Sequence, residues 1–262
     1  GTVIDGEILA HDGARPLPFA DLQKRIGRKV VPKKLLAEAP VVLVAYDLLE
    51  HGGEDTRARP FSERRDLLEG LVTALPPDAP LLLSPEVSFA DWPALTAMRT
   101  QSREASVEGL MIKRRASPYL TGRKKGDWWK WKVDPMTVDA VMIYAQAGHG
   151  RRANLYTDFT FAVRDGDELV PFAKAYSGLT DVEFNEITNW VRKNTLERFG
   201  PVRRVPPELV FEIAFEGIQR SPRHKSGIAL RFPRMLRWRR DKPASEIDTI
   251  ETLRAFLDGT GP

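Results

Sequence analysis

Glu108, Lys130 and Lys132 are the residues whose types and spacing point most directly to chemistry. They lie in V-E-G-L-M-I-K, Val107 to Lys113, and in W-W-K-W-K, Trp128 to Lys132, two segments that read as strands. A carboxylate on one strand beside ammonium groups on the next can meet a divalent metal and phosphate charge together, as reaction at a nucleoside triphosphate requires. Residues two apart on a strand share a face, so Lys130 and Lys132 point one way. Trp129 and Trp131 point the other way and are expected to anchor the strand in the core. Glu7, in D-G-E, and Glu108, in E-G-L, each adjoin a glycine. A small neighbour leaves room for a ligand, and either carboxylate can hold Mg2+ or a ribose hydroxyl. Tyr46 can stack a base or fill the core. Taken singly, each acid also fits a strand edge without chemistry, and Lys/Trp alternation also fits a plain amphipathic edge strand.

A second cluster, Arg231, Phe232, Arg234, Arg237, Arg239, Asp241 and Lys242, forms a cationic strand containing apolar wedges. The net charge is only +4, yet residues 113–132 hold eight Lys/Arg against one acid, and residues 220–242 hold nine against one. Cations concentrated on a balanced background and interleaved with aromatics indicate a polyanion-binding surface rather than two solvated faces.

The elements that must position these residues follow from periodicity. Thr2 to Ala10 and the apolar run Val41 to Leu49 read as strands, as does Leu81 to Phe89. Helical spacing marks Leu17 to Gly27, Ser62 to Leu75 and a segment from Asp91 to about Glu104. Strand Val107–Lys113, a basic loop and strand Asp127–Lys132 follow, and Asp134-Pro135 punctuates a boundary at Val133–Thr137. Five further strands, Val138–Gln146, Asn154–Val163, Leu169–Ala175, Leu209–Phe215 and Ala229–Trp238, are interrupted after the third by a helix with a Thr180/Glu183 capping box. That element order is the one found in OB-fold barrels, which bind nucleic acid repeatedly. Ala244 to Leu257 reads as a terminal helix.

At 262 residues, with 42% hydrophobic and 29% charged residues, the chain has the composition of an ordered globular protein of two domains. The absence of cysteine excludes disulfides and thiolate metal sites, and four scattered histidines leave little for zinc. No apolar run is long enough to span a membrane, and a reducing cytoplasm is the expected location. The sequence shows no catalytic triad and no Gly-rich phosphate loop.

Taken in order, these segments resemble the motifs of ATP-dependent DNA ligases of the covalent nucleotidyltransferase superfamily. The resemblance rests on V-I-D-G-E-I (Val3 to Ile8), A-Y-D-L-L (Ala45 to Leu49), E-G-L-M-I-K (Glu108 to Lys113), W-W-K-W-K and R-F-P-R-M-L-R-W-R-R-D-K (Arg231 to Lys242). It implies an α+β fold. Residues 1–135 would be part of a nucleotidyltransferase, or adenylation, domain with antiparallel sheets and flanking helices, and residues 136–262 an OB-fold barrel with a tail. It implies ATP and Mg2+ as cofactors, nicked duplex DNA as partner, AMP as product and a monomeric state. Glu7 would contact ribose or metal, Tyr46 would stack on adenine and Glu108 would bind Mg2+. Lys130 and Lys132 would hold the α-phosphate, with Lys124 and Lys125 contacting phosphates of ATP or DNA. Arg239, Asp241 and Lys242 would orient pyrophosphate, Phe232 would pack into the minor groove at the nick, and Arg231 and Arg234 would flank it on DNA.

One departure is large. The family's nucleophile is a lysine in Lys-x-Asp-Gly. The residues two before the four Asp-Gly pairs of this chain are Val3, Ala10, Val163 and Phe256. The chain is therefore expected to be the C-terminal part of a ligase, inactive in self-adenylation alone. Two other readings stay open: a catalytically inert module that binds nicked DNA, and an mRNA capping enzyme, which pairs similar domains and uses GTP.

Overall fold

The apolar run of the first third forms the central strand of the amino-terminal sheet. A computed structural model describes residues 1–103 and 107–259. It divides into two compact units, Gly1–Val133 and a second that starts at Asp134.

In the first unit, β1 (Val3–Ala10) pairs antiparallel with β2 (Val41–His51), between which lie the short helices α1 (Phe19–Gln23) and α2 (Lys33–Glu38). On the other side, β2 carries β3 (Glu54–Asp55) and, in parallel, β4 (Leu81–Leu83). Helix α3 (Phe61–Thr73) covers this sheet, and Leu68 packs with Ala45 and Leu48 in a small core ringed by Ile4, Leu67, Leu71, Leu81 and Leu83. Helix α4 (Trp92–Thr100) starts at Asp91, whose side chain accepts from the Ala94 N–H, and leads to the hairpin β5 (Gly109–Lys113) and β6 (Trp128–Lys132). Gly109 has φ 142°, and a Cβ there would lie 2.4 Å from the Trp131 carbonyl oxygen. The hairpin therefore closes only with glycine at this position.

The second unit is built on β7 (Met136–Ala147), which pairs on one side with β8 (Tyr156–Asp165), itself paired to β9 (Glu168–Ala175). Helix α5 (Asp181–Asn194) follows, and its Thr180/Glu183 capping box is formed. The other edge of β7 takes the small hairpin β10 (Glu197–Phe199) and β11 (Val202–Arg204), then β12 (Val210–Phe215). Outside β12 lies β15 (Arg234–Trp238). The hairpin β13 (Gly217–Arg220) and β14 (Ile228–Arg231) stands apart, and α6 (Ile250–Leu257) ends the described chain. The curled antiparallel sheet and its inserted helix make an OB-type half-barrel, with Phe159, Phe161, Phe184 and Phe211 fully buried at its centre.

Several expectations are corrected. Ala229 to Trp238 is two strands, because Pro233 lacks a ladder donor and Phe232 adopts φ 54°. The Leu17–Gly27 helix shrinks to α1, and α2, unforeseen, follows it. Leu81–Phe89 is a strand only to Leu83, and α3 has Pro60 rather than Ser62 at its N-cap. The Asp91 helix ends at Thr100 and continues as a 3-10 turn over Gln101–Arg103, while Glu104 lies outside the described residues. The terminal helix begins at Ile250, after a separate turn at Ala244–Glu246.

Candidate active site and nucleic-acid interface

Register places the hairpin side chains. Gly109 faces Lys132, Met111 faces Lys130 and Lys113 faces Trp128, so these six share one face. Glu108 immediately precedes β5, and its carboxylate meets the Lys132 ammonium at 2.8 Å with both groups about 40% exposed. Lys130 lies exposed one step along the same face. The sequence-predicted carboxylate and lysine pair thus come together. The tryptophans do not behave as expected: Trp129 is 45% exposed, and Trp131 is only partly covered by Trp92 and the Arg99 guanidinium. It is Trp128, on the lysine face, that is anchored, donating from Nε1 to Ser117 Oγ at 3.0 Å and meeting Tyr119 edge-on. The glycines also have a packing cause. A Cβ on Gly6 would meet the Val44 carbonyl at 2.7 Å, and one on Gly109 would meet the Trp131 carbonyl, so close approach of neighbouring strands by itself demands glycine at both positions.

Glu7 is exposed on β1 opposite Val44. Tyr46, half-buried on β2, is pushed up to about 12, chiefly by burial and then by the Asp5 carboxylate. Tyr119 donates to Asp5 Oδ2 at 2.7 Å and is likewise raised to about 12, first by burial. Behind these phenols lies a group that pattern reading missed. Asp47 and Arg64 are both fully buried, joined through two oxygen–nitrogen contacts at 2.7 and 2.9 Å. Arg64 also donates to the carbonyls of Arg59 and Ser117. The Lys113 ammonium sits 4.7, 4.7 and 4.1 Å from the ring centres of Tyr46, Phe61 and Trp128, and 3.9 Å from Asp47. Burial lowers Lys113 to about 8, against the opposing pull of Asp47. A lone acid inside V-V-L-V-A-Y-D-L-L was the available signal, since a buried charge demands a partner.

The basic loop between β5 and β6 is pinned at both necks. Arg114 pairs with Asp127, and Tyr119 N–H donates to Arg57 O. Among the described residues, Arg123, Lys124 and Lys125 have no hydrogen-bond or ion-pair partner, so their donors are available to an anion.

In the second unit, Arg239 and Lys242 converge on one atom: each donates to Asp139 Oδ2 at 2.7 Å. Arg239 also grips Asp241 through Nε and Nη2, which holds that carboxyl at about 2 and raises the guanidinium further. Phe232 is 60% exposed with the Arg231 guanidinium 4.9 Å from its ring centre, while Arg234 is tied to Glu216. Among the described residues no cluster of three metal-ligating side chains occurs, and no helix is long and apolar enough to cross a membrane.

A strand pair presenting lysines beside a carboxylate, followed by an OB-type barrel whose last strand leads into Arg-x-Asp-Lys at Arg239 to Lys242, is the layout expected of a nucleotidyltransferase-type protein. Family comparison makes the class specific: residues 1–132 match the ATP dependent DNA ligase domain and residues 152–242 the ATP dependent DNA ligase C terminal region. The chain belongs to the ATP-dependent DNA ligase family. It is 40% identical over 269 residues to a probable DNA ligase of Koribacter versatilis, covering 95% of this chain and 47% of that protein. It is 37% identical to DNA ligase 1 of Korarchaeum cryptofilum, covering 98% of this chain and 47% of the relative. The chain thus spans about half the length of these relatives. Among solved structures, a Lig E DNA ligase matches with TM-score 0.62 and 22% identity over 90% of this chain and 76% of its own. The structure named Pmar-Lig_Pre matches with TM-score 0.66 and 19% identity over 91% and 51%. Both show the shared fold.

Proposed function

We propose that this chain supplies the phosphate-binding half of the nucleotide pocket and the OB-type barrel of an enzyme that seals nicks in duplex DNA at the expense of ATP. The observation that carries this is the Lys132–Glu108 pair beside Lys130 on the glycine-closed hairpin. In this reading Tyr46 offers its ring to adenine, Lys130 and Lys132 hold the α-phosphate, and Arg123, Lys124 and Lys125 take backbone phosphates. Phe232, exposed between arginines, wedges into the minor groove. Arg239 and Lys242 orient the leaving pyrophosphate. Glu7 and Glu108 fit Mg2+ as hard oxygen donors, because that ion takes one or two carboxylates and fills its shell with water and phosphate. Mg2+ bound there would supply neutralisation of phosphate charge.

Self-adenylation needs an amine that attacks the α-phosphorus of ATP, and the Lys-x-Asp-Gly that provides it in this family does not occur in this sequence. The last step of sealing needs no such amine. The 3′-hydroxyl oxygen attacks the 5′-phosphorus of a nick that already carries AMP. The bond to the AMP phosphate breaks, AMP leaves, and the hydroxyl proton passes to solvent. The test is therefore a nicked duplex bearing a preformed 5′-adenylate, incubated with the chain and Mg2+. Sealing is expected, whereas ATP labelled at the α-phosphate should leave no label on the protein. Failure to seal while still binding the nick in a salt-dependent way would favour the inert binding module instead.

A further inference from the structure

The cations that this reading assigns to pyrophosphate are not free-standing, and what holds them is a residue outside the family motifs noted above. Asp139 lies on β7, in an otherwise apolar run, and its side chain is 11% exposed. Its Oδ2 accepts from both Arg239 Nη1 and Lys242 Nζ at 2.7 Å, so the two nitrogens lie within twice that distance of each other. The backbone of Asp139 is fixed from behind. The Asp139 N–H donates to Asp248 Oδ2 at 2.7 Å, and the Asp248 N–H donates to Asp139 O at 2.9 Å. The Arg239 N–H donates in turn to Val210 O on β12, the strand that pairs with β7 opposite Asp139. Backbone and side chain therefore place both cations relative to one strand.

Charge adds a second constraint. Arg239 and Lys242 face Asp139 and Asp241, with the Asp248 carboxylate behind, so this group has no excess of positive charge and exerts little attraction on an anion at a distance. What it presents is a set of donors held in position: Arg239 uses one N–H of each Nη on the acids, and Lys242 uses one of its three. A preorganised donor set without excess positive charge selects geometry rather than gathering anions. Among the described residues Asp139 Oδ1 has no hydrogen-bond partner, so the carboxylate acts through Oδ2 alone.

We propose that Asp139 is a positioning residue: it sets the spacing and direction of the Arg239 and Lys242 donors so that together they fit neighbouring oxygens of a pyrophosphate or polyphosphate group. This rests on the pyrophosphate role given to those two cations. The test uses the 262-residue chain and inorganic pyrophosphate, followed by NMR at the Asp241 backbone amide so that cations elsewhere do not contribute. Asp139→Asn should weaken pyrophosphate binding at this amide by about tenfold, with the spectrum of the barrel otherwise preserved. The Arg239 side-chain Nε–H resonance should broaden or split as the guanidinium loses its fixed orientation, a change that a general loss of stability would not produce. A measurement on the unaltered chain guards against misfolding of the variant: on adding pyrophosphate, the Asp139 carboxyl carbon should keep the shift of a paired carboxylate. Unchanged or tighter binding by Asp139→Asn, or release of that carboxyl in the unaltered chain, would overturn the proposal and make Asp139 a competitor of the phosphate. If the Arg239→Ala/Lys242→Ala double variant binds as the unaltered chain does, the pyrophosphate role of the cations fails and the proposal falls with it.

Discussion

Replacing Arg64 by methionine should unfold the first unit before the second. Arg64 and Asp47 are both fully buried, and the guanidinium satisfies two carboxylate oxygens and two carbonyls at once. The variant leaves the buried Asp47 carboxylate with only the Leu48 N–H and the more distant Lys113 ammonium, together with two carbonyls that lose their donor. Breaking a buried pair from one side costs about 3–5 kcal/mol. For a unit of this size that corresponds to a fall in Tm of roughly 10–20 °C. The assay is urea or thermal unfolding followed separately by amide signals of the two units, since each has its own core. Asp47→Leu combined with Arg64→Met should recover part of the loss, because two apolar side chains remove both charges together, while the two carbonyls stay without their donor and Lys113 loses its facing carboxylate. A single variant destabilised by less than about 1 kcal/mol would refute the reasoning, and so would a double variant no better than the single one.

Three further outcomes are expected. Lys132→Ala should slow sealing of a pre-adenylated nick by about a hundredfold, measured by single-turnover kinetics, while binding of the nick changes little. Lys113, lowered to about 8 by burial, should make the first unit more stable as pH rises from about 8 to about 10.4, because the unfolded chain holds the proton longer over that window. Lys113→Met should flatten that rise, as read by urea midpoints at pH 7.5 and 9.5. Phe232→Asn should raise the stability of the barrel by about 1 kcal/mol, since asparagine tolerates the left-handed backbone that phenylalanine holds at φ 54°. The same change should weaken binding to nicked DNA in a fluorescence anisotropy titration.

The parts of the fold that were legible in the sequence were those written by local rules. Alternation placed Lys130 and Lys132 on one face, capping chemistry placed α5, and apolar runs placed β2, β7 and β8. What stayed hidden needed partners distant in sequence. Nothing near Asp47 announces Arg64, and nothing near Asp139 announces Arg239 or Lys242, a hundred positions on. Trp129 and Trp131 misled for the same reason. Alternation fixes which face a side chain takes, but only the elements packed against that face decide whether it is buried. The packing need for Gly6 and Gly109 stayed hidden for a related cause, since the atom each must avoid belongs to a strand whose register is not a local property.

The loop between the necks at Tyr119 and Gly126 carries Arg123, Lys124 and Lys125 without a tie to any described residue. Those side chains are also the cleavage points of trypsin. A protease that recognises the same cations as a phosphate backbone turns the loop into a footprint: brief digestion should nick the chain there first, and bound nicked DNA should shield it. Because β5 and β6 stay hydrogen-bonded on either side of the cut, the two pieces should remain associated, and the severed hairpin would report how much of the DNA grip depends on an unbroken loop.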